Sequence, residues 1–171
     1  MRISTELIGL DSVLSRFENY NSELQNKIEL FLSRLGELGF REMQTGFLKS
    51  QYDGAYYAIS VSQPSITGTT MTLTARGKNI LFIEFGTGIV YEDDHPKAQE
   101  LGMIRGGYGQ GKGNQRTWVY YGVGDKENYL RTTDKGDLYK THGNPANKPV
   151  YNAGQEMRNN IIRIAKEVFG N

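Results

Sequence analysis

The sequence predicts a single α+β domain in which a long N-terminal helix and a C-terminal helix pack on a small antiparallel sheet that carries a long Gly-rich loop. Two stretches with apolar residues at every third or fourth position, one near each end of the chain, predict the helices. Between them the apolar period falls to two, which is typical of strands with one buried face. No linker or repeat divides the 171 residues, so we expect one domain over residues 1–171.

The N-terminal third of the chain predicts two consecutive helices. Asp11 is a suitable N-cap for a short first helix with Val13, Leu14 and Phe17 on one face, and the polar stretch 19–22 interrupts that pattern. Beyond it, an apolar stripe predicts an amphipathic helix of roughly 18 to 25 residues. The stripe consists of Leu24, Ile28, Phe31, Leu32, Leu35 and Leu38. Three glycines weaken the end of this helix by up to about 1 kcal/mol each relative to alanine, namely Gly36, Gly39 and Gly46.

The middle of the chain predicts an antiparallel hairpin followed by a short helix. Apolar and polar residues alternate in residues 57–62 and 70–75, and the turn-rich segment 63–68 joins these two runs. The apolar run 78–85 is expected to form one or two helical turns before Gly86.

The C-terminal part predicts two further strands and the last helix. Residues 117–121 alternate, with Trp118 and Tyr120 on one face, and residues 138–141 are expected to form a short strand. Residues 125–135 between them are expected to form a loop. An apolar stripe at helical spacing then predicts the C-terminal helix; it consists of Met157, Ile161, Ile164, Ala165 and Val168.

The composition excludes several classes of protein. The chain has no cysteine, so disulfides, Cys-based zinc sites and thiol catalysis are excluded. Its formal net charge of +1 is too balanced for a dedicated nucleic-acid binder or a membrane-surface protein. No apolar run approaches the roughly 20 residues that span a bilayer, and the first ten residues do not resemble a signal peptide. We therefore expect a soluble intracellular protein.

The chain shows no convincing catalytic, cofactor or metal motif. Residues 106–112 satisfy G-x-x-x-x-G-K, but Gly113 occupies the position of the Mg²⁺-binding hydroxyl, so a flexible loop is favoured over a nucleotide site. Residues 92–95 (Glu-Asp-Asp-His) could offer metal ligands, although a solvated acidic turn is favoured. His142 lies in turn-rich sequence. No nucleophile elbow is present, so we expect no enzymatic activity, no cofactor and no metal.

Residues 86–116 form the least regular segment, which is rich in glycine and poor in aliphatic residues. A loop of this length is usually functional or disordered. Arg105, Lys112 and Arg116, with Tyr108 between them, are possible contacts to a DNA backbone. A solubilising loop is the favoured alternative.

Two sequence segments resemble one protein family. Residues 80–88 contain Glu84-Phe85-Gly86-Thr87-Gly88, similar to an "apolar-x-E-F-G-T" signature, and residues 143–153 resemble a "G-x-P-A-x-P-F-x-x-A" entry into a last helix. Following a long N-terminal helix and a hairpin, this order resembles the tail-completion or head–tail joining proteins of long-tailed bacteriophages. The resemblance covers residues 24–169. Val150 and Tyr151 depart from the family's usual Pro-Phe, and the loop after Gly88 is longer.

The resemblance implies a structural virion protein, a tail-completion or neck component that forms a homo-oligomeric ring at the head–tail junction through which DNA passes. Its expected partners are further copies of itself, the adjacent connector or head-completion and tail-terminator or tail-tube proteins, and genomic DNA that passes without sequence readout. We expect it in the virion neck, at the top of the tail, after assembly in the host cytoplasm, with no membrane contact. A tail terminator or head-side connector is the nearest alternative. A DNA-binding accessory protein is the alternative from another class.

The candidate interface residues lie in the first signature and in the loop that follows it. Glu84 is expected to face solvent or to pair with a cation on this chain or a neighbouring one, and the alternative for the whole motif is a turn that closes the core. Residues 86–116 are expected to be the principal interaction arm, ordered against a neighbouring subunit. The candidate oligomer-interface residues are Glu84, Phe85, Gly86, Thr87, Gly88, Arg105, Tyr108, Lys112 and Arg116.

Overall fold

The computed structural model describes residues 10–50, 59–77, 79–91, 94–104, 108, 114–124 and 126–170. The fold is α+β, as predicted: a long N-terminal helix, small antiparallel sheets and a C-terminal helix. In chain order the elements are α1 (Leu10–Lys49), β1 (Ser60–Val61), β2 (Ser65–Thr67), β3 (Thr70–Thr72), β4 (Ala75–Arg76), α2 (Ile80–Phe85), β5 (Trp118–Tyr121), a 3₁₀ turn (Lys126–Asn128), β6 (Tyr129–Thr133), β7 (Gly136–Thr141) and α3 (Pro149–Phe169).

Helix α1 is one continuous helix of 40 residues, about 60 Å long. The predicted break at residues 19–22 is therefore wrong. Asn and Ser lower helix propensity by only about 0.7 kcal/mol per residue, which does not end a helix that has strong formers on both sides. The helix also continues through its glycines to Lys49.

Other elements approach α1 closely at its glycines. A Cβ atom on Gly36 would lie 2.7 Å from the Cβ of Pro64, and one on Gly46 would lie 2.7 Å from the Cβ of Pro149. A Cβ on Gly39 would lie 2.5 Å from the sulfur of Met157. Helix α3 and the hairpin therefore occupy the space that side chains at these positions would need, and the packing outweighs the low helix propensity of glycine.

The hairpin prediction is confirmed, although its turn lies later than expected. Strands β1 and β4 pair antiparallel, as do β2 and β3, and the turn falls at residues 68–69 instead of across residues 63–68. Two residues, Gln63 and Pro64, stand between Ser62 and β2, whereas only Leu73 stands opposite them. The first strand therefore has one residue more than the second at this point, which is a β-bulge. The bulge contains Pro64, whose nitrogen cannot donate to a ladder, and it divides the hairpin into two short sheets. Residues 51–58, which include the start of the first predicted run, lie outside the described residues.

The second sheet has the strand order β5-β7-β6, with both pairs antiparallel. The alternation predicted for β5 is confirmed, since Trp118 and Tyr120 are half-buried and Val119 and Tyr121 are exposed. The loop expected at residues 125–135 is wrong, because it contains β6. This edge strand has no period-2 signal, since four of its five residues are exposed.

Helix α1 and helix α3 form most of the core. One cluster joins Leu35 to Ile164 and Val168, with Phe31, Leu38 and Met157 against it. A second cluster lies further along α1 and receives the hairpin and α2 on its other side. Its buried members are Met43, Phe47 and Ala153.

The short helix expected before Gly86 is confirmed as α2. In the segment 86–116, the residues that the structure describes form turns and bends with neither a strand nor an α-helix. Across the described parts of the chain, no helix combines the length and apolar character needed to cross a membrane.

Candidate functional site

The two segments that carry the family resemblance lie against each other, although they are more than 50 residues apart in sequence. The backbone N–H of Thr87 donates to the carbonyl of Asn144 at 2.8 Å, and the N–H of Asn144 returns to the carbonyl of Thr87 at 3.2 Å and to its hydroxyl at 3.0 Å. The N–H of Asn147 donates to the carbonyl of Ile83, at 2.9 Å. The first signature and the entry into α3 therefore form one hydrogen-bonded unit, here called the signature junction (residues 83–88 and 142–151).

Close backbone contact at the signature junction requires glycine. Gly86 has φ +79°, and a Cβ there would lie 2.8 Å from both the amide nitrogen of Ala146 and the carbonyl oxygen of Asn144. A Cβ on Gly88 would lie 2.5 Å from the carbonyl oxygen of His142. Gly88 also has a positive φ, +84°, so both positions demand glycine for space and for backbone conformation.

Glu84 is the centre of the signature junction. It is buried, with 6% of its surface exposed, and its carboxylate accepts the backbone N–H of Val150 at 2.8 Å and of Tyr151 at 2.9 Å. These N–H groups belong to the first turn of α3, whose own N-cap residue, Lys148, makes no capping hydrogen bond with its side chain. Glu84 therefore caps α3 from another helix and places a negative charge at the positive end of its dipole.

His95 completes the surroundings of Glu84. It is 5% exposed, and its Nε2 lies 3.1 Å from a carboxylate oxygen of Glu84. Its Nδ1 accepts the backbone N–H of Lys97 at 3.0 Å, so the ring proton is on Nε2 and donates to the carboxylate. The ring packs on Phe85, with centroids 4.3 Å apart, and edge-on against Tyr151 at 5.4 Å.

This arrangement corrects two expectations. Glu84 does not face solvent, and its partners on this chain are a histidine and the N-terminus of α3. His95 is not part of a solvated acidic turn, because it is buried under Phe85. The sequence signal that could have revealed the cap is the start of α3 itself, where Lys148 and Pro149 offer no capping side chain.

The segment that carries His95 is also held to the start of α3 by an ion pair. The Nζ of Lys148 lies 3.3 Å from a carboxylate oxygen of Asp94 and 3.1 Å from its carbonyl oxygen. Both side chains are partly exposed, so the pair contributes little to stability. It adds one more contact between the segment that carries His95 and the start of α3.

Tyr108 is the one residue of 105–113 that the structure describes, and it is packed on the signature junction. Its ring lies 5.8 Å from that of Phe82 and 6.3 Å from that of Phe85, and its hydroxyl donates to the carbonyl of Gly86. Burial raises the pKa of Tyr108 above its ordinary value of 10.0, which keeps the hydroxyl a donor. The Tyr108 ring is thus engaged within the chain.

Of the three expected DNA contacts, the structure describes only Arg116. Arg116 is exposed in the bend before β5, whereas Arg105 and Lys112 lie outside the described residues. The same holds for most of the G-x-x-x-x-G-K match at 106–112.

The remaining candidate ligands for a metal do not converge where the structure describes them. His142 accepts or donates a hydrogen bond with the hydroxyl of Tyr91 at 3.0 Å and packs on that ring. Glu92 and Asp93 lie outside the described residues, and among those that are described no three His, Asp or Glu side chains are grouped as a metal site would require.

Comparison with protein-family models, with curated proteins and with solved structures finds no match to this chain.

Proposed function

We propose that this chain is a non-enzymatic structural protein of a tailed bacteriophage, a tail-completion or neck component that forms a ring at the head–tail junction. The observation that carries the proposal is the signature junction. The two segments that resemble the joining-protein family are more than 50 residues apart in sequence, and they form one hydrogen-bonded unit. Two motifs that depend on each other structurally are less readily explained as two chance matches.

The construction of the signature junction suits a subunit of a ring. Each subunit of a closed ring presents one surface to the next, so the angle between its helices and its interaction arm must be fixed. Here α2, the start of α3 and the base of the loop are held together by Glu84, His95 and the backbone pairing of Thr87 with Asn144. The loop that follows has a rigid base from which it can contact a neighbour.

The described part of the loop also presents apolar side chains to the outside. Val90, Leu101 and Ile104 are each about half exposed, although they lie in a segment with few aliphatic residues. Exposed apolar side chains are available for contact with another protein surface. They support the proposal that residues 86–116 are the principal interaction arm.

The geometry of the buried Glu84–His95 pair supports a structural role over a catalytic one. Each oxygen of Glu84 accepts at least one hydrogen bond, and both nitrogens of His95 are engaged. Neither side chain presents a free atom to a substrate, and both are more than nine-tenths buried. A general acid or base must reach the proton that it transfers.

The test is deletion of the gene from its parent phage or prophage, with electron microscopy of the induced lysate and a plasmid-borne copy as the control. We expect DNA-filled heads beside separate tails of normal length, and intact particles when the plasmid is present. Tails of irregular length would instead indicate a tail terminator, and heads that lose their DNA would indicate a head-side connector. Normal infectious particles would overturn the proposal.

A further inference from the structure

The N-terminal part of α1 extends beyond the rest of the described fold. Every residue from 10 to 26 is exposed, and α3 reaches only as far as Phe31, whose ring lies 5.8 Å from that of Phe169. The projecting part is about 25 Å long. It nevertheless carries six apolar side chains on one face, between 36% and 68% exposed: Leu10, Val13, Leu14, Phe17, Tyr20 and Leu24.

This face continues the seam that binds α3. Between Leu38 and Leu10 the residues of this seam follow one another at alternating intervals of three and four positions. They are Leu38, Leu35, Phe31, Ile28, Leu24, Asn21, Phe17, Leu14 and Leu10. This is the a/d repeat of helix-on-helix packing. Its C-terminal part, Phe31 to Leu38, already packs on α3, whereas its N-terminal part has the same pattern and no described partner. The exposed part therefore has the pattern for packing against a helix.

We infer that the seam from Leu10 to Leu24 binds the same segment of α1 from another copy of this chain, parallel and in register. The exposed apolar area supports such a pair. Apolar side chains present on the order of 100–250 Å² each, so the six exposed fractions leave roughly 600 Å² per chain. Two such faces together offer at most about 1,200 Å² for burial, which reaches the lower limit of stable specific interfaces.

Asn21 decides the orientation. It occupies an a position inside the seam, where a polar side chain needs a polar partner once it is desolvated. In a parallel, in-register pair, Asn21 meets Asn21 of the other copy and each amide bonds the other. An antiparallel pair centred on Phe17 would place Asn21 against Leu14 and leave its amide unsatisfied.

The charges beside the seam favour the same orientation. The antiparallel pair would bring the two Glu18 side chains together, because that residue flanks the centre of the segment. The parallel pair places Glu18 beside Val13 and Gln25 beside Tyr20 of the other copy, so no like charges meet there.

Light scattering of the purified chain tests the association. We expect a mass that is a multiple of 19.3 kDa for the native chain and a single-chain mass for Phe17→Glu. Asn19→Glu adds the same charge on the opposite face and should leave the oligomer intact. Because residues 10–26 are exposed, Phe17→Glu should keep the circular dichroism and melting of the core. A monomeric native chain, or an oligomer that survives Phe17→Glu, overturns the inference.

Cysteine cross-linking tests the orientation, since the chain has no cysteine of its own. Mild oxidation should join Asn21→Cys chains to each other. In a mixture of Leu10→Cys chains and mass-tagged Leu24→Cys chains, we expect no cross-link between the two kinds. A 10-to-24 cross-link would show an antiparallel pair and overturn the assignment. The inference rests on α1 alone, so its failure leaves the proposed virion role to be decided by the deletion experiment.

Discussion

The carboxylate of Glu84 accepts the backbone N–H of Tyr151 at 2.9 Å, although the two residues are 67 positions apart. One buried side chain thereby caps a 21-residue helix from a different element and fixes the angle at which α3 leaves the loop. The same carboxylate accepts from His95, which joins the turn at residues 95–102 to the same point. The stability of the signature junction therefore depends on this one acid.

Replacement of Glu84 should destabilise the chain strongly. Glu84→Ala leaves two helix N–H groups and the Nε2–H of His95 without an acceptor in a buried site, and each lost charge-assisted bond contributes about 1.5–3 kcal/mol. We expect a loss of at least about 3 kcal/mol in the free energy of unfolding, and a smaller loss for Glu84→Gln, which keeps one acceptor oxygen. Urea denaturation measures both.

The control for this prediction is Glu29→Gln, which removes a charge from an exposed position of α1. It should change the free energy of unfolding by no more than about 0.5 kcal/mol. An equally small effect of Glu84→Ala would show that the carboxylate does not cap α3.

Gly86→Ala should lower the free energy of unfolding by more than the same change does at a glycine that has positive φ and open space around it. The added methyl group would collide with backbone atoms of Asn144 and Ala146, which cannot move aside as a flexible side chain could. We expect a loss of more than about 3 kcal/mol, from strain at φ +79° and from the overlap together. Gly68→Ala is the matched control, since Gly68 has φ +58° and open space around it. It should cost about 1 kcal/mol, and equal losses in thermal melts would contradict the argument.

The elements of the fold were predictable wherever one face of an element is buried. The hairpin, β5 and the two long helices have a periodic apolar pattern, and each was found from it. Strand β6 was missed because it is an edge strand with four of five residues exposed, so no burial pattern is imposed on its sequence. The break expected at residues 19–22 was wrong because the low propensity of Asn and Ser counts for little inside a 40-residue helix.

The candidate site was predictable only in its motif and not in its contacts. The sequence singled out Glu84, because an acid stands alone among apolar residues, but gave no means of choosing its partners. The N–H groups of Val150 and Tyr151 reach Glu84 through the packing of α2 on α3, and His95 reaches it from the turn at residues 95–102. The side chain that caps α3 therefore lies outside the local window in which capping residues are sought.

Gly154→Ala should stabilise the protein. Gly154 lies inside α3, and a Cβ there meets no atom within 4 Å. Alanine at such a position gains about 0.5–1 kcal/mol, because it restricts the unfolded chain and favours the helix. Gly39→Ala in α1 is the contrasting variant, since its Cβ would lie 2.5 Å from the sulfur of Met157. We expect the melting temperature to rise for Gly154→Ala and to fall for Gly39→Ala. A fall for both would mean that other atoms lie closer to Gly154 than the structure shows.

The protonation state of His95 can be observed directly by long-range ¹H–¹⁵N correlation spectroscopy. Because Nδ1 accepts the N–H of Lys97, the spectrum of the folded protein should show the neutral Nε2–H tautomer for His95. The His95→Gln variant identifies the signal. A proton on Nδ1 would require the hydrogen bond from Lys97 to be absent, and it would remove the reason for assigning Glu84 as the acceptor of Nε2–H.

Tyr108 should make the free energy of unfolding depend on pH in the alkaline range. Its folded pKa is raised above the ordinary 10.0 by burial, so the folded state holds the phenolic proton more tightly than the unfolded state. The contribution of Tyr108 to the free energy of unfolding is therefore complete below pH 10.0 and is lost as the pH rises through the higher folded pKa.

Tyr108→Phe tests this dependence, because it keeps the contacts with Phe82 and Phe85 but removes the hydrogen bond to the Gly86 carbonyl. We expect it to lower the free energy of unfolding by about 1 kcal/mol below pH 10.0. Above that pH the difference between the native chain and the variant should shrink in urea denaturation. A difference that stays constant across this range would mean that the Tyr108 hydroxyl is exposed to solvent and that the loop does not rest on the signature junction.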